Sequence, residues 1–257
     1  MARVAVRPMR PEAPVARARG AFEVSFSLPW RLDGAGATSD APLVLALHGQ
    51  GMLEDSFATL LCGLFDLPYH FLLPRAPWPF EVRRENRIGA SWYPYDGGAE
   101  RFLEELGRTE AMLLALLRDV ESRHGLRPRR RIVLGFSQGG YCGGVLACRH
   151  LDLFHGLVVS GARVKTEVLD REMRAAAGTG FRVLLVHGLR DVAVLPEAAE
   201  RSRDALQAAG VAVELHTFDH GHVIGRRQVE TIRAWLAANF GGGAPGPTAG
   251  TGPTAQR

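Results

Sequence analysis

Ser137 stands between glycines in the stretch Gly135-Phe136-Ser137-Gln138-Gly139, where an apolar run gives way to small residues. A serine in this G-x-S-x-G pattern can attack a carbonyl carbon when it lies on a sharp turn between a strand and a helix. The two flanking glycines remove the Cβ atoms that would collide in such a turn. The pattern predicts a nucleophilic serine, and the alternative interpretation is a serine in an ordinary tight turn.

A serine nucleophile needs a base to take its proton and a carboxylate to orient that base. Where this motif forms a sharp strand-to-helix turn, the acid and then the histidine follow the serine along the chain. Asp191, in HGLRDVAV after the apolar run at 183–188, is the expected acid. Asp219 is a weaker candidate because it lies almost beside the candidate histidines, and Asp170 and Asp204 fall in segments expected to be exposed helix or linker.

Two histidines compete for the role of base. His220 and His222 flank Gly221 in the segment DHGHVIG, after a strand-like run and before the last helical pattern. Their position alone leaves both open. His48 and His187 each end a strand-like run in an HG pair, and we expect local hydrogen bonds to satisfy them.

Two fixed N–H donors are expected to stabilise the charge that develops on a carbonyl oxygen under attack. Gln138, the residue after the nucleophile, is expected to supply one of them. The second is expected from Gln50, in the HGQG segment at 48–51, where glycines let the backbone approach a substrate closely.

Strands and helices alternate along the sequence. Continuous apolar runs, typical of parallel strands buried on both faces, occur at 43–48, 70–74, 132–136, 157–161 and 183–188, with further strand-like segments at 22–28 and 211–218. Helical patterns occur at 54–65, 99–125, 140–151, 196–210 and 226–240. This alternation predicts an α/β fold with a mainly parallel central sheet and helices on both faces. Functional groups then gather outside the carboxyl ends of the strands.

The segments LHGQG, GFSQGG, HGLRD and GHVI, in this order, resemble the phospholipase/carboxylesterase family of α/β-hydrolases over roughly residues 42–240. That family includes small bacterial carboxylesterases and acyl-protein thioesterases. The resemblance implies an α/β-hydrolase fold with Ser137 as nucleophile, Asp191 as orienting acid and His222 as base. It favours His222 over His220.

The resemblance also implies a substrate pocket. Trp92 and Tyr93 match an aromatic pair that lies at the edge of the substrate pocket in members of the family. The HG-x-G loop and the residue after the motif serine match the segments that form the family's oxyanion hole. The expected oxyanion donors are the backbone N–H groups of Gln50 and Gln138. The expected pocket residues are Met52, Leu53, Trp92 and Tyr93.

Two segments call for separate expectations. From the acid onward the family usually has Asp-x-x-Val-Pro, whereas this chain has Asp-Val-Ala-Val-Leu-Pro at 191–196. The acid loop is therefore one residue longer, and its position can shift. The connection at 73–98 is long and aromatic, which argues for a segment that packs over an acyl site. Its arginines are candidates to bind an anionic leaving group: Arg75, Arg83, Arg84 and Arg87.

These features predict a serine hydrolase that cleaves carboxylic esters, with thioesters or lysophospholipids as variants. A peptidase or lactonase with the same residues, and a catalytically silent binding protein on the same fold, are the alternatives. We expect no cofactor and no metal, because the sequence has no H-E-x-x-H motif and no phosphate-binding or dinucleotide-binding loop.

The amino-acid composition limits which binding partners and which cellular compartment are expected. All but one of the 31 basic residues is arginine, the exception being Lys165, and they are spread along the chain, so no nucleic-acid partner is expected. The three cysteines form no motif, which favours a reducing cytoplasm. No apolar run is long enough to span a bilayer, so stable membrane insertion is not expected. The helical segment MLLALL at 112–117 is either buried or part of a dimer contact, and the chain is expected to be a monomer or a homodimer.

One folded domain is expected at 21–240. The Arg-rich arm at 1–20 and the Gly/Pro-rich tail at 241–257 carry little large apolar surface, so both are expected to be disordered. The basic, acid-poor arm also allows a transit-peptide interpretation.

Overall fold

The computed structural model describes residues 27–34, 36–95 and 99–241, with the side chains of 99–101 left out. The expected N-terminal arm, most of the strand expected at 22–28 and nearly all of the expected tail lie outside the described residues. Residues 27 and 28, at the end of that expected strand, are not in a strand.

A seven-stranded sheet forms the centre of the molecule, with strand order β1-β3-β2-β6-β7-β8-β9. All neighbouring pairs are parallel except β1, which runs antiparallel to β3 at one edge. A separate hairpin pairs β4 with β5. The strands are β1 Trp30–Asp33, β2 Leu43–Leu47, β3 His70–Pro74, β4 Trp78–Val82, β5 Arg87–Ser91, β6 Arg131–Phe136, β7 Gly156–Ser160, β8 Arg182–Gly188 and β9 Ala212–Phe218.

Helices cover both faces of the sheet. They are α1 Glu54–Leu61, α2 Ala99–His124, α3 Gln138–Arg149, α4 Asp170–Ala176, α5 Pro196–Ala208 and α6 Arg226–Phe240. Helices α1 and α6 pack in the hydrophobic cluster on one face, and α2, α3, α4 and α5 pack in the cluster on the other. The prediction of a mainly parallel sheet between helical layers is confirmed. None of the helices among the described residues is both long and apolar enough to cross a bilayer.

The burial of strand β2 shows why the central strands have continuous apolar sequences. Leu43, Leu45 and Leu47 belong to one hydrophobic cluster, while Val44 and Ala46 belong to the other, and all five are fully buried. Successive side chains of a strand point to opposite faces. With helices on both faces, both sets must be apolar, so no polar alternation remains.

The sheet reverses its winding direction between β2 and β6. From β2 the chain continues to β3 on one side, whereas from β6 it continues to β7, β8 and β9 on the other. The loops at such a switch point diverge and leave a crevice outside the carboxyl ends of the strands. The loop after β2 and the turn after β6 therefore meet at this crevice.

Candidate active site

Ser137 joins the end of β6 to the start of α3 with a backbone φ of 51° and ψ of −120°. This is a conformation that only glycine adopts without strain. A Cβ at Gly135 would lie 2.3 Å from the carbonyl oxygen of Gly139, and one at Gly139 would lie 2.1 Å from that of Leu47. The two glycines of the motif are thus required by backbone contacts, and the strained turn projects the serine hydroxyl into the crevice.

Ser137, His222 and Asp191 form one hydrogen-bonded chain. His222 Nε2 lies 2.9 Å from Ser137 Oγ, and His222 Nδ1 lies 2.7 Å from Asp191 Oδ2. An ionised carboxylate only accepts hydrogen bonds, so Nδ1 carries the proton. Nε2 is then free to accept the serine proton, which is the arrangement that activates a serine hydroxyl.

The carboxylate of Asp191 is buried but fully hydrogen-bonded. Its Oδ1 accepts the backbone N–H groups of Ala193 and Val194 at 2.9 Å each. Burial by itself raises the pKa of Asp191, but the N–H of Val194 and the bond with His222 outweigh it and hold the pKa below its usual range. Although the acid loop is one residue longer than the family pattern, the Asp191 carboxylate still contacts His222. Its lowered pKa keeps it ionised.

The loops that carry the acid and the histidine are tied to each other. Leu189 N–H donates to the carbonyl of Phe218 at 2.8 Å, and Arg190 N–H donates to that of His220 at 2.9 Å. On its other side the ring of His222 stacks on Phe136, with centroids 5.1 Å apart. These contacts fix the imidazole between the end of β6 and the ends of β8 and β9.

The competing candidates occupy other environments. His220 donates from Nδ1 to the carbonyl of Gly221 at 2.9 Å and stacks on Phe218, whereas the hydrogen bond to the serine hydroxyl comes from His222. Asp219 is exposed and pairs with Arg190 at 3.0 Å.

The remaining aspartates and His187 also have other partners. Asp170 and Asp204 form surface ion pairs with neighbouring arginines. His187 is buried and bonds through Nε2 to the carbonyl of Val194 at 2.8 Å. Its buried Nδ1 has no hydrogen-bond partner among the described residues, so the expectation that local hydrogen bonds satisfy His187 holds for only one of its two ring nitrogens.

Two backbone N–H groups border the crevice beside the serine. Gln50 and Gln138 line the same cleft as Ser137, and neither amide nitrogen has a hydrogen-bond acceptor among the described residues. Two such donors next to a nucleophile can bind the oxygen of a tetrahedral intermediate.

The β4–β5 hairpin supports the loop that carries Gln50. Gly51 N–H donates to the carbonyl of Ala90 at 2.8 Å, and Ala90 N–H donates to that of Met52 at 3.1 Å. The guanidinium of Arg87 also donates to the carbonyl of Gly51. The described part of this connection is therefore largely the β4–β5 hairpin, whose contacts hold the loop that brings Gln50 to the lining of the cleft.

His48 fixes the start of the same loop. Its Nδ1 lies 2.8 Å from the carbonyl oxygen of Gly49, and its Nε2 lies 3.1 Å from the N–H of Ala76. The first contact needs a donor and the second an acceptor, so a single neutral tautomer satisfies both. Burial lowers the pKa of His48 to about 4. The expectation that local hydrogen bonds satisfy this histidine is confirmed.

The side chain of Gln138 holds the wall of the cleft. Its Oε1 accepts the backbone N–H of Trp92 at 2.9 Å, and its Nε2 donates to Ser91 Oγ at 2.9 Å and to the carbonyl of Tyr93 at 3.0 Å. Trp92 itself is fully buried and donates from its indole to the carbonyl of His48 at 2.7 Å. The amide side chain therefore fixes the position of Tyr93 relative to the serine turn.

The cleft beside Ser137 has a volume of about 430 Å³, within the range of small-molecule sites. Of the four residues expected in the pocket, only Tyr93 lines it. Trp92 does not, because its ring is packed beneath the loop after β2, and Met52 and Leu53 are half-buried against the two hydrophobic clusters. The lining residues are Gln50, Tyr93, Tyr95, Phe102, Ser137, Gln138, Tyr141, Arg163, Lys165, Ala193 and Val194.

The candidate anion-binding arginines lie elsewhere. Arg75 forms a two-point ion pair with the buried Glu54, with distances of 2.7 and 2.6 Å. Arg83 and Arg87 pair with neighbouring glutamates on the hairpin. These three and Arg84 are absent from the lining of the cleft. The cations that do line it, Arg163 and Lys165, follow β7 and have no sequence motif that would have identified them.

The described residues hold no candidate metal site, and no cysteine lines the cleft. No group of three His, Cys, Asp or Glu side chains in the described parts of the chain could hold a metal ion. Cys142 and Cys148 are buried and unpaired, and burial raises the pKa of the Cys148 thiol to about 12. Cys142 packs within the cluster around α3, as expected of a helix-packing residue.

A mainly parallel sheet with a strained serine at the carboxyl end of its central strand defines the class of α/β-hydrolases. The model of one family within that class, described as phospholipase/carboxylesterase, matches residues 35–240. The chain belongs to this family, and it is a hydrolase of the carboxylesterase and thioesterase type.

Individual relatives are distant. A probable carboxylesterase (SOBER1-like) of Arabidopsis thaliana is 25% identical over 75% of this chain and 77% of its own. The mouse lysophospholipase-like protein 1 is 26% identical over 54% of this chain, a match that spans 57% of the mouse protein. The crystal structure of esterase PE8 is 26% identical with a TM-score of 0.69, covering 83% of this chain and all of the other. Acyl-protein thioesterase 2 of Zea mays, at 21% identity and a TM-score of 0.66 over 83% and 99% of the two chains, shares the fold.

Proposed function

We propose that the chain hydrolyses carboxylic esters, and thioesters by the same chemistry, through an acyl-enzyme on Ser137. The observation that carries this proposal is the hydrogen-bonded chain in which His222 Nε2 lies 2.9 Å from Ser137 Oγ and Nδ1 lies 2.7 Å from Asp191. Mouse, Arabidopsis and maize relatives named for lysophospholipase, carboxylesterase and thioesterase activities add support.

The first half of the reaction forms the acyl-enzyme. Ser137 Oγ attacks the ester carbonyl carbon while His222 Nε2 takes the hydroxyl proton. The negative charge moves to the carbonyl oxygen, which the N–H groups of Gln50 and Gln138 bind. Asp191 stabilises the imidazolium, which then protonates the departing alcohol as the bond to it breaks.

The second half releases the acid. A water molecule gives one proton to His222 Nε2 while its oxygen attacks the acyl carbon, and the same two N–H groups bind the second oxyanion. Collapse of this intermediate breaks the bond to Ser137 Oγ, which recovers its proton from His222. The products are a carboxylic acid and free enzyme, and no cofactor enters either half.

Labelling with a fluorophosphonate probe, which phosphonylates an activated serine, tests the proposal directly. We expect the wild-type chain to label and to hydrolyse 4-nitrophenyl butyrate, and Ser137→Ala to do neither. Ser122→Ala, at an exposed serine near the end of α2, is the matched control and is expected to keep both activities. A folded wild-type chain that takes no label would contradict the proposal and favour a silent binding protein.

A panel of amide and lactone substrates separates the alternatives. A peptidase or lactonase would hydrolyse these faster than the matched ester, whereas we expect the ester to be preferred. The cytoplasmic location and the monomeric or homodimeric state stay predictions, which fractionation and size-exclusion chromatography with light scattering would test.

A further inference from the structure

The single lysine of the chain lies in the cleft. Lys165, on the loop after β7, lines the same cavity as Ser137, whereas the other basic residues of the chain are arginines. Its Nζ lies 4.4 Å from the ring centroid of Phe102 and 5.7 Å from that of Tyr95. Contact with two aromatic faces holds the ammonium in place through cation–π attraction.

Among the described residues this ammonium forms no ion pair, although the charge of Glu167, two residues further along the chain, attracts it. The ion pairs found there include none for Lys165, and no acidic side chain lines the cleft. The other lining cation, Arg163, is engaged by Glu167 through two bonds of 2.7 Å each. Burial, reinforced by the charge of Arg163, lowers the pKa of Lys165, and the opposing attraction of Glu167 is too weak to reverse this direction.

Half-burying a cation that has no ion-pair partner among the described residues is costly unless a ligand supplies the opposite charge. The ion pair that would form there is strong, because the surroundings screen less than bulk water. Lysine suits this role, since it presents a compact point charge with three donors on a flexible stem.

We propose that the esters taken by this cleft carry a second, anionic group, a carboxylate or phosphate, that pairs with Lys165. The inference rests on the ester hydrolysis proposed above and names its substrate class. The anionic group can belong to the acyl chain or to the leaving alcohol, and the chemistry of recognition is the same for both.

Matched pairs of substrates separate these two sources. For the acyl arm the pair is the 4-nitrophenyl monoester of adipic acid and methyl 4-nitrophenyl adipate. In the second compound a neutral methyl ester replaces the terminal carboxylate. For the alcohol arm the pair is butyryl-glycerol 3-phosphate and glycerol monobutyrate. In at least one arm we expect the anionic substrate to have a kcat/KM about 10-fold or more above its neutral partner, which is the effect of ~1.4 kcal/mol.

Variants assign the preference to the lysine. The ratio of anionic to neutral kcat/KM is compared within each variant, so changes in folding or basal rate cancel. Lys165→Met is expected to bring this ratio close to 1, and Lys165→Arg to retain most of it. Arg118→Met, which removes an exposed positive charge on α2 outside the cleft, is the matched control and keeps the wild-type ratio. Added salt should lower the wild-type ratio.

The possible failures are distinct. If the wild-type chain hydrolyses neutral esters but prefers the anionic member in neither arm, the anionic substrate class is wrong and the ester hydrolysis stands. An anionic preference that survives in Lys165→Met would rule out the lysine as its source. If no ester of either kind is hydrolysed, the proposed function and the inference fail together.

Discussion

A Cβ atom at Gly89 would lie 2.0 Å from the carbonyl oxygen of Gly51, so strand β5 and the loop that carries Gln50 meet backbone to backbone. The hairpin is outside the central sheet, yet it sets the position of a proposed oxyanion donor. A side chain at this position must displace either the strand or the loop.

Gly89→Ala is therefore expected to lower kcat far more than it changes KM. Loss of one oxyanion donor typically costs about 100-fold to 1000-fold in kcat, and a displaced Gln50 should approach that range. Steady-state kinetics with 4-nitrophenyl butyrate gives the measurement. Gly107→Ala, on helix α2 with no atom near the new Cβ, is the control and should behave as wild type. Unchanged kcat in a folded Gly89→Ala would show that the hairpin does not position the loop.

Asp191→Asn tests the orientation of the imidazole. The backbone N–H groups of Ala193 and Val194 would hold the carbonyl oxygen of the new amide, so its NH₂ group would face His222 Nδ1. His222 then carries its proton on Nε2 and cannot accept one from Ser137. We expect kcat to fall by about 10³-fold to 10⁴-fold, as for the equivalent change in a well-studied serine protease.

Asp219→Asn provides the control for that variant. Asp219 is exposed and contacts Arg190 rather than the histidine, so its amide should leave kcat within about twofold of wild type. If instead Asp219→Asn lost activity and Asp191→Asn kept it, the acid would have been assigned to the wrong residue.

His48 predicts a pH-dependent loss of stability. Its folded-state pKa is about 4, whereas an unfolded histidine titrates near 6.5. The unfolded chain binds this proton first as the pH falls, so the free energy of unfolding decreases between about pH 6.5 and 4 and is unaffected above that window. The full effect is about 3 kcal/mol.

Urea unfolding at pH 7, 5.5 and 4.5 measures this effect. His48→Asn keeps a donor for Gly49 but has no titration in this range, so its unfolding free energy should decline less steeply with falling pH than that of the wild type. Parallel pH profiles for the two chains would contradict the assignment.

The fold was predictable wherever local pattern and burial agree. Helix α6 has the bounds 226–240 that its pattern predicted, and the central strands differ from their predicted runs by at most one residue at either end. Strand β1 and the β4–β5 hairpin were missed. The hairpin is mostly exposed, contains Pro79 and turns through Asn86 at a φ of 48°, so it lacks the apolar run of a central strand.

The cleft was predictable only in part, for a similar reason. Motifs fix residues that are close in sequence, such as Ser137 and Gln138, but the lining of the cleft brings together α2, the loop after β7 and the acid loop. Lys165 and Phe102 meet only because of that long-range packing. The roles of Ser137, Asp191 and His222 stay predictions until the labelling and kinetics are done.

The strained backbone at Ser137 predicts that replacing this serine with glycine abolishes activity but increases the free energy of unfolding. A φ of 51° with ψ of −120° costs a residue with a side chain about 1–3 kcal/mol, which glycine avoids. Glycine loses about 0.5–1 kcal/mol through its greater freedom in the unfolded chain. Both Ser137→Ala and Ser137→Gly remove the hydroxyl and should be inactive, but the glycine variant should be about 1 kcal/mol more stable to urea.

At Ser122, inside helix α2, the same pair of substitutions should give the opposite order, because glycine is about 1 kcal/mol worse than alanine in a helix. If alanine were the more stable residue at both positions, the serine turn would carry no strain that a glycine can relieve.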